Sequence, residues 1–529
     1  MEVSMKKYLT ATAIPIFLLL SCVLGCGAET EAFPDAADDA QTEELVLFDK
    51  NANRHSFDDR IAQEIMKRTG VTIRVIDSTD DASKKEELMF SYQDYPDIIK
   101  VDLHAIDKYQ DAGYLIDLDP YLPKLPAVTD MYADMLNRMR AQDGGLYYLG
   151  NWYGKDPDAV LGFQIRYDYL VELAGKERAD SDEPFTQEEF LELLRAFSRK
   201  YPEINGEPSI PFTTCLDYAC QSAIEGMYGI KDYYEKDGRL YHPARDPNYV
   251  RMITFQNRMY REGLLDKEWV VNRAALYQEK LTSGRVFATA CAYWNLSSQN
   301  SALRAQYGDD AFFACYKVLG EGVEASQTSY GGRNSIGWDA IAVTDHCRNM
   351  EAALKVINFL ASEEGQYLML WGIEGEDWNY VDRVRTPTPE NLALFTRDIA
   401  QATEQTGIRR WLWFIKNGNG SDGSPYDMMT KYSPSREAAL ANRRMATDYW
   451  DASEYMDLDP VNDSEESLML FNIDSIYDKT FPRMVNAESR ESLTELYRKL
   501  IQDMELEGLA DVEAVWTEHY QQRMEQWRE

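Results

Sequence analysis

Aromatic rings standing beside carboxylates and amides are the residues with the clearest chemistry. They occur as Asn151-Trp152-Tyr153, Tyr293-Trp294-Asn295, Trp338-Asp339 and Trp378-Asn379-Tyr380. A flat ring buries much apolar area at small rotamer cost. A planar carboxylate or amide next to it supplies directional hydrogen bonds. The combination suits a ligand with apolar C–H faces and hydroxyl rims, the two surfaces of a saccharide. With 11 Trp and 34 Tyr the chain has rings to spare. Core packing is the alternative for each of these rings, and it is the preferred reading for Trp411 and Trp413. Further polar candidates follow strand-like segments. Asn51, Asn53 and Arg54 come after Leu45-Val46-Leu47-Phe48, Lys100 and Asp102 after Ile98-Ile99, and Asp217 after Pro211-Phe212. For each of these a solvated loop is the alternative.

Catalytic constellations are absent from the motifs. The histidines His55, His104, His242, His346 and His519 stand in no H-E-x-x-H or other metal-ligand spacing. There is no G-x-S-x-G elbow, no P-loop and no G-x-G-x-x-G after a strand. Acids are plentiful, so a carboxylate pair for glycoside hydrolysis is open on composition, but nothing marks one pair out. Asp457-Leu458-Asp459 with Asn462 and Asp463 is acidic enough to suggest calcium, yet its spacing and its lack of glycine depart from the EF-hand loop. No catalytic residue, metal or cofactor is expected.

Bulk composition narrows the class. Ninety acids against 55 bases give a formal net charge of −35, which argues against nucleic acid as a partner, since that needs a basic footprint. A length of 529 residues exceeds one ordinary core and predicts two or three lobes. Lys6 and Lys7 precede an apolar run over Tyr8–Leu24, too short and too sharply ended for a membrane span, which reads as a signal peptide. Val23-Leu24-Gly25-Cys26 resembles the lipobox of bacterial lipoproteins, which implies lipidation at Cys26; Leu19-Leu20-Ser21-Cys22 also fits. Residues 26–44 then read as a lipidated cysteine followed by a disordered acidic tether. Beyond the leader, Cys215, Cys220, Cys291, Cys315 and Cys347 are no disulfide framework. Cys215 and Cys220 are spaced to allow pairing, but small buried thiols are the preferred reading.

The elements that must position these residues alternate. Leu45–Phe48 reads as a buried strand, a helix from Ser56 carries Ile61 and Ile65 on one face to Gly70, and Val71–Ile76 is the next strand. Such alternation predicts parallel sheets with helices on both faces. Thr186 and Glu189 form a capping box with Phe185 and Phe190 at its staple positions. Phe190, Leu193, Leu194 and Phe197 then make a core face.

Several of these segments, in order, resemble the extracellular solute-binding proteins of carbohydrate ABC transporters. Asp94-Tyr95-Pro96-Asp97-Ile98-Ile99 is similar to that family's D-x-P-D-I-I strand. Gly145–Leu149 resembles its G-K-x-Y-G-L-P approach to the hinge, with Leu149-Gly150 in place of Leu-Pro. Arg166-Tyr167-Asp168-Tyr169-Leu170 resembles R-x-D-x-L. Gly284–Phe287 with Tyr293-Trp294, and Phe359–Gly365 with Trp371–Gly375, complete the set. The resemblance implies a periplasmic-binding-protein-like α/β fold, two α/β lobes joined by a hinge crossed more than once. By analogy lobe one holds 45–165 and 326–372, and lobe two holds 166–325 and 373–529. It also implies a ligand cleft between the lobes, with Trp294 placed there by likeness to the maltose-binding-protein-like members. The expected partners are a carbohydrate, probed by Trp294, Trp152, Tyr153, Trp338, Trp378, Asn53, Arg54, Asp102 and Asp217, and the permease subunits of an ABC transporter. The expected form is a monomer on the outer face of the membrane, held by its lipid. A secreted carbohydrate-active enzyme, a peptide carrier of the same fold and a ligand sensor are the competing readings.

Overall fold

The computed structural model describes residues 44–528, apart from 53–54, 79–80, 142, 154–160, 217–218, 430–434, 446–447 and 462–463. The expectations on the leader, Cys26 and the tether, and those on Asn53, Arg54, Asp217, Asn462 and Asp463, lie outside the described residues.

Two sheets organise the rest. Their strands are β1 Glu44–Asp49, β2 Thr72–Ile76, β3 Ile98–Asp102, β4 Leu149–Gly150, β5 Leu161–Arg166, β6 Ile210–Phe212, β7 Val286–Ala292, β8 Phe313–Tyr316 and β9 Asp339–Val343. The first sheet has the order β2-β1-β3-β9-β4, the second β6-β7-β5-β8. In each, parallel pairs carry the α/β alternation: Phe48 lies opposite Ile99 and Phe212 opposite Ala288. Strand β9 departs from the expected parallel pattern, running antiparallel with Asp339 opposite Asp102 and Ala340 opposite Gly150. Strand β5 does the same in the second sheet, with Ala292 opposite Leu161 and Tyr316 opposite Phe163. Both strands begin just after the chain has crossed from the other sheet. A chain arriving at the carboxyl edge must run the opposite way to the strands that end there.

Each sheet sits in its own apolar core. The first takes Leu45 to Leu149, Ile336 to Met429, and Met456; the second takes Leu161 to Tyr330 and Ala441 to Tyr520. The segment 378–429, grouped by analogy with lobe two, packs Trp378, Phe395, Ala402, Ile408, Trp411 and Trp413 into the first core. The chain thus changes core after Leu149, Tyr330 and Met429. Short parallel pairs flank these changes: Trp152–Tyr153 with Ile415–Lys416, and Gly331–Arg333 with Tyr449–Asp451. A Cβ at Gly150 would collide with the Ile336 carbonyl, which accounts for glycine at this departure from Leu-Pro.

Local signals form as the side chains dictate. The helix Gln187–Lys200 has its capping box, with Thr186 Oγ1 accepting from the Glu189 N–H at 3.2 Å and Glu189 Oε2 accepting from the Thr186 N–H at 2.8 Å. Phe190, Leu191, Leu194 and Phe197 are its buried face, Leu193 lying half-buried beside them. The first helix spans Arg60–Thr69, four residues later than Ser56, because the Asp59 carboxylate caps it by accepting from the N–H groups of Ile61 and Ala62. Ile61 and Ile65 are fully buried, and Gly70 closes the helix in the left-handed region at φ 66°. Among the described residues no helix is long and apolar enough to cross a membrane.

Candidate ligand-binding site

Both crossings that involve sheet strands join carboxyl edges. Asn151 follows β4 at the carboxyl edge of the first sheet, where its N–H donates to Asp339 O at 2.9 Å. Leu161 opens β5 at the carboxyl edge of the second, and its N–H donates to Tyr330 O at 3.4 Å. From Tyr330 the chain returns to Trp338 and Asp339. Eight extended residues reach at most about 28 Å, so the two edges lie within that distance of each other. Open α/β sheets bind ligands outside the carboxyl ends of their strands, and here the two such edges are tied together.

The first edge is a knot of buried charge. Asp49, at the end of β1, is 3.3 Å from Lys100 Nζ of β3, and Lys100 is 2.9 Å from Asp339 Oδ2 of β9. Lys50 bridges Asp339 Oδ1 at 2.7 Å and Asp102 at the end of β3. Burial pulls the Lys50 ammonium down, but the hydrogen bonds and charges of Asp102 and Asp339 outweigh it and hold the group above its ordinary pKa. Asn51 Nδ2 donates to Asp339 Oδ2 at 3.0 Å, and Trp413 Nε1 donates to Asp49 Oδ2 at 2.7 Å. The buried Asn151 Oδ1 accepts from the N–H groups of both Trp338 and Asp339 at 3.1 Å, while its Nδ2 has no partner among the described residues. Next to Asp339 in the chain is Trp338, 49% exposed and fixed at its backbone by Leu103 N–H donating to its carbonyl at 3.1 Å. A fixed backbone with an open ring is the geometry a stacking platform needs.

The second edge is built differently. Strand β7 is buried throughout and runs out into the turn Tyr293–Leu296. Trp294 there is 43% exposed, held edge-on to Tyr293 with ring centres 5.0 Å apart. The charges after β6 are mutually satisfied: the buried Asp266 Oδ2 accepts from Thr213 Oγ1 at 2.8 Å, Asn272 Nδ2 at 3.0 Å and Lys280 Nζ at 2.8 Å, and Lys280 also pairs with the exposed Glu268 at 2.9 Å. That network anchors the loop after β6.

Other expectations fall out unevenly. Asp102 is exposed at the first edge, paired to Lys50. Trp152 and Tyr153 lie in a short strand at the first chain crossing, opposite Ile415 and Lys416. Trp378 is a correction: it is 4% exposed, its indole N–H donates to Gly372 O at 3.0 Å, and the Arg385 guanidinium covers its face at 4.0 Å. No open face remains for stacking. Trp411 and Trp413 are core residues, packed on Phe57. Arg166 is fully buried and committed to Asp168 at 2.6 Å. Lys50 is a site residue that the sequence reading does not single out; a lysine directly after Asp49, where an apolar strand ends, is the available signal. Among the described residues no cluster of His, Cys, Asp and Glu could hold a metal ion.

The cores also touch away from the two rings. Arg138 pairs with Asp451, Ser335 Oγ meets Ser453 Oγ at 2.9 Å, and Gln526 Nε2 donates to Arg140 O at 3.1 Å. His104 Nδ1 lies 3.4 Å from Asp457 Oδ1, and this contact raises the imidazole above its ordinary pKa.

Comparison with known proteins agrees with this geometry. The family model "Bacterial extracellular solute-binding protein" matches residues 60–375. Lipoprotein LipO of Bacillus subtilis (strain 168) is 21% identical over 410 residues, 74% of this chain and 77% of LipO. An HMO binding ABC-transporter associated solute binding protein from Bifidobacterium longum infantis superposes with a TM-score of 0.68 at 16% identity, covering 91% of this chain and 99% of its own. An ABC-transporter substrate binding protein of S. pneumoniae, FusA in complex with kestose, superposes with a TM-score of 0.58 at 17% identity, covering 90% and 99%. These structures show the periplasmic-binding-protein-like fold. With the family model spanning more than half of its length, the chain belongs to the bacterial extracellular solute-binding proteins.

Proposed function

We propose that this protein captures a neutral oligosaccharide between its two cores and hands it, uncut, to the permease of an ABC transporter. The observation that carries the reading is a pair of half-exposed tryptophans, Trp338 and Trp294, one on each of two tethered carboxyl edges. Two rings and the polar groups around Asp102 and Asn51 match the apolar faces and hydroxyl rims of a saccharide. The similarity to a structure bound to kestose and to an HMO binding protein supports the same cargo class. Of Arg54, Lys100 and Arg166, three bases suited to a uronic acid carboxylate, Lys100 and Arg166 are each committed to acids and Arg54 lies outside the described residues; the two commitments favour an uncharged cargo.

The two cores act as lobes. Ligand gripping both edges stabilises the closed form; shifting a 1:99 equilibrium to 99:1 needs about 5.5 kcal/mol of differential affinity. Two stacked rings and several hydrogen bonds are of that order. Cys26 carries the lipid, the acidic segment behind it lifts the monomer from the membrane, and the chain binds its cargo without turning it over.

A thermal-shift screen of residues 27–529 against oligosaccharides, monosaccharides and short peptides tests this. Ligand at 100 times its dissociation constant adds about 2.7 kcal/mol of stability. A shift with one oligosaccharide series, recovered intact, is the expected result. Cleaved ligand would point instead to a carbohydrate-active enzyme, and a response to peptides alone would reject the cargo class.

A further inference from the structure

After β6 the chain passes through Thr213 and Thr214 to Cys215, and Cys220 opens the helix Cys220–Gly226. Both thiols are buried, at 0% and 1% exposure, with their Sγ atoms 3.5 Å apart. The Cys220 thiol also donates to the Tyr277 hydroxyl at 3.6 Å, and that hydroxyl lies 2.6 Å from Thr289 Oγ1 of β7. Ile210, Leu281, Val286 and Leu296 pack with them in a small apolar cluster of its own. Packing from two strands and two helices therefore holds these sulfurs in contact. Both are thiols in this structure.

We propose that Cys215 and Cys220 are a redox pair that closes to a disulfide in the exported chain, joining the segment after β6 to the start of the helix Cys220–Gly226. The sulfurs, 3.5 Å apart, need to approach to about 2.05 Å. Extracellular chains meet oxidants that the cytoplasm excludes, and the family is extracellular. The oxidant is a disulfide, of glutathione or of an exchange protein, met while the folding chain still exposes both residues. Cys220, as thiolate, attacks one sulfur of that disulfide and releases the first thiol. Cys215 gives up its proton, attacks the Cys220 sulfur and releases the second. Two thiols are oxidised and one disulfide is reduced. The hydrogen bond from Cys215 outweighs burial and holds the Cys220 thiol below its ordinary pKa, whereas burial pushes the nearby Cys291 thiol well up. As the local contact between the two sulfurs forms during folding, it favours Cys220 as the attacking thiolate. Any effect of the disulfide on affinity rests on the proposed capture; the bond itself does not.

The tryptic peptide 201–231 contains both cysteines and no other. The chain secreted from a bacterial host is denatured, alkylated without reductant, digested and weighed, before and after incubation with oxidised glutathione during refolding. The expected result is an unalkylated peptide lighter by two hydrogen atoms, which takes two alkyl groups once reduced. The chain should also melt a few degrees lower on reduction, a response that C215A/C220A lacks. Two alkylated thiols in that peptide under both conditions, or a cross-link from it to Cys291, would overturn the proposal. Because neither readout needs a ligand, failure of the carbohydrate reading leaves the outcome unaffected.

Discussion

The two carboxyl edges solve one problem with opposite chemistry. At the first, charges from β1, β3 and β9 converge and stay partly open: Lys50 and Lys100 are shared among Asp49, Asp102 and Asp339, and the half-exposed Trp338 precedes Asp339. At the second, Asp266 is saturated inside by Thr213, Asn272 and Lys280, Lys280 reaches outward only to the exposed Glu268, and Trp294 is a large ring left in solvent. The first edge offers hydrogen bonds together with a ring, the second chiefly a ring. A ligand held this way would be oriented by the first core and clamped by the second.

Breaking the charge knot should have the largest effect. Asp339 is fully buried and holds two lysines, so D339A leaves Lys100 with Asp49 alone and Lys50 with Asp102 alone and should cost about 3–5 kcal/mol in chemical denaturation. The equivalent truncation N272A at the second edge removes one neutral partner and should cost about 1–3 kcal/mol. Equal losses would erase the contrast between the edges.

The rings come next. W338A and W294A should each weaken oligosaccharide binding by about 2 kcal/mol, roughly 30-fold, in calorimetric titration. Both rings are about half in solvent, so the melting temperature should hardly change. W378A should do the reverse, costing about 3–5 kcal/mol of stability as a core truncation. If W378A alone impaired binding in a folded protein, the assignment of platforms would be inverted.

The smallest effect concerns the contact between the cores. Burial, then the charges of Asp457 and Asp111, push Asp107 up to about 6, and the bond to Asp457 raises His104. A raised pKa contributes stability below the unfolded value, and that contribution fades as pH climbs through the folded one. For Asp107 the window runs from about pH 4 to 6, and for His104 it begins near pH 6.5. Melting curves of D107N and H104A should therefore decline less than wild type as pH rises through those windows. Unchanged profiles would remove this contact from the account.

What was legible in the sequence was local. The Thr186–Glu189 box needs residues three apart, and Ile61 with Ile65 needs one helical face; both formed. The start at Arg60 was missed because Asp59 competes as cap more directly than Ser56. Segment 378–429 was misassigned because core membership is decided by partners hundreds of residues away, such as Asp49 for Trp413. Directions of β5 and β9 follow from where the chain crosses, which no strand pattern records. Trp338 and Trp378 look alike in sequence, each beside polar neighbours. They differ because the hairpin Trp378–Pro387 brings Arg385 over one ring, while the Asn151 side-chain oxygen, accepting from the Trp338 N–H, and the Leu103 N–H, donating to the Trp338 carbonyl, set the other at an open edge.

Closure around an intact saccharide is the central claim, and small-angle scattering tests it most directly. Wild-type protein should become more compact on saturation with the oligosaccharide found by the screen, and W294A, which keeps the first edge, should need far more ligand to do so. Tight binding of the same ligand with no change in the scattering curve would contradict capture between the two cores.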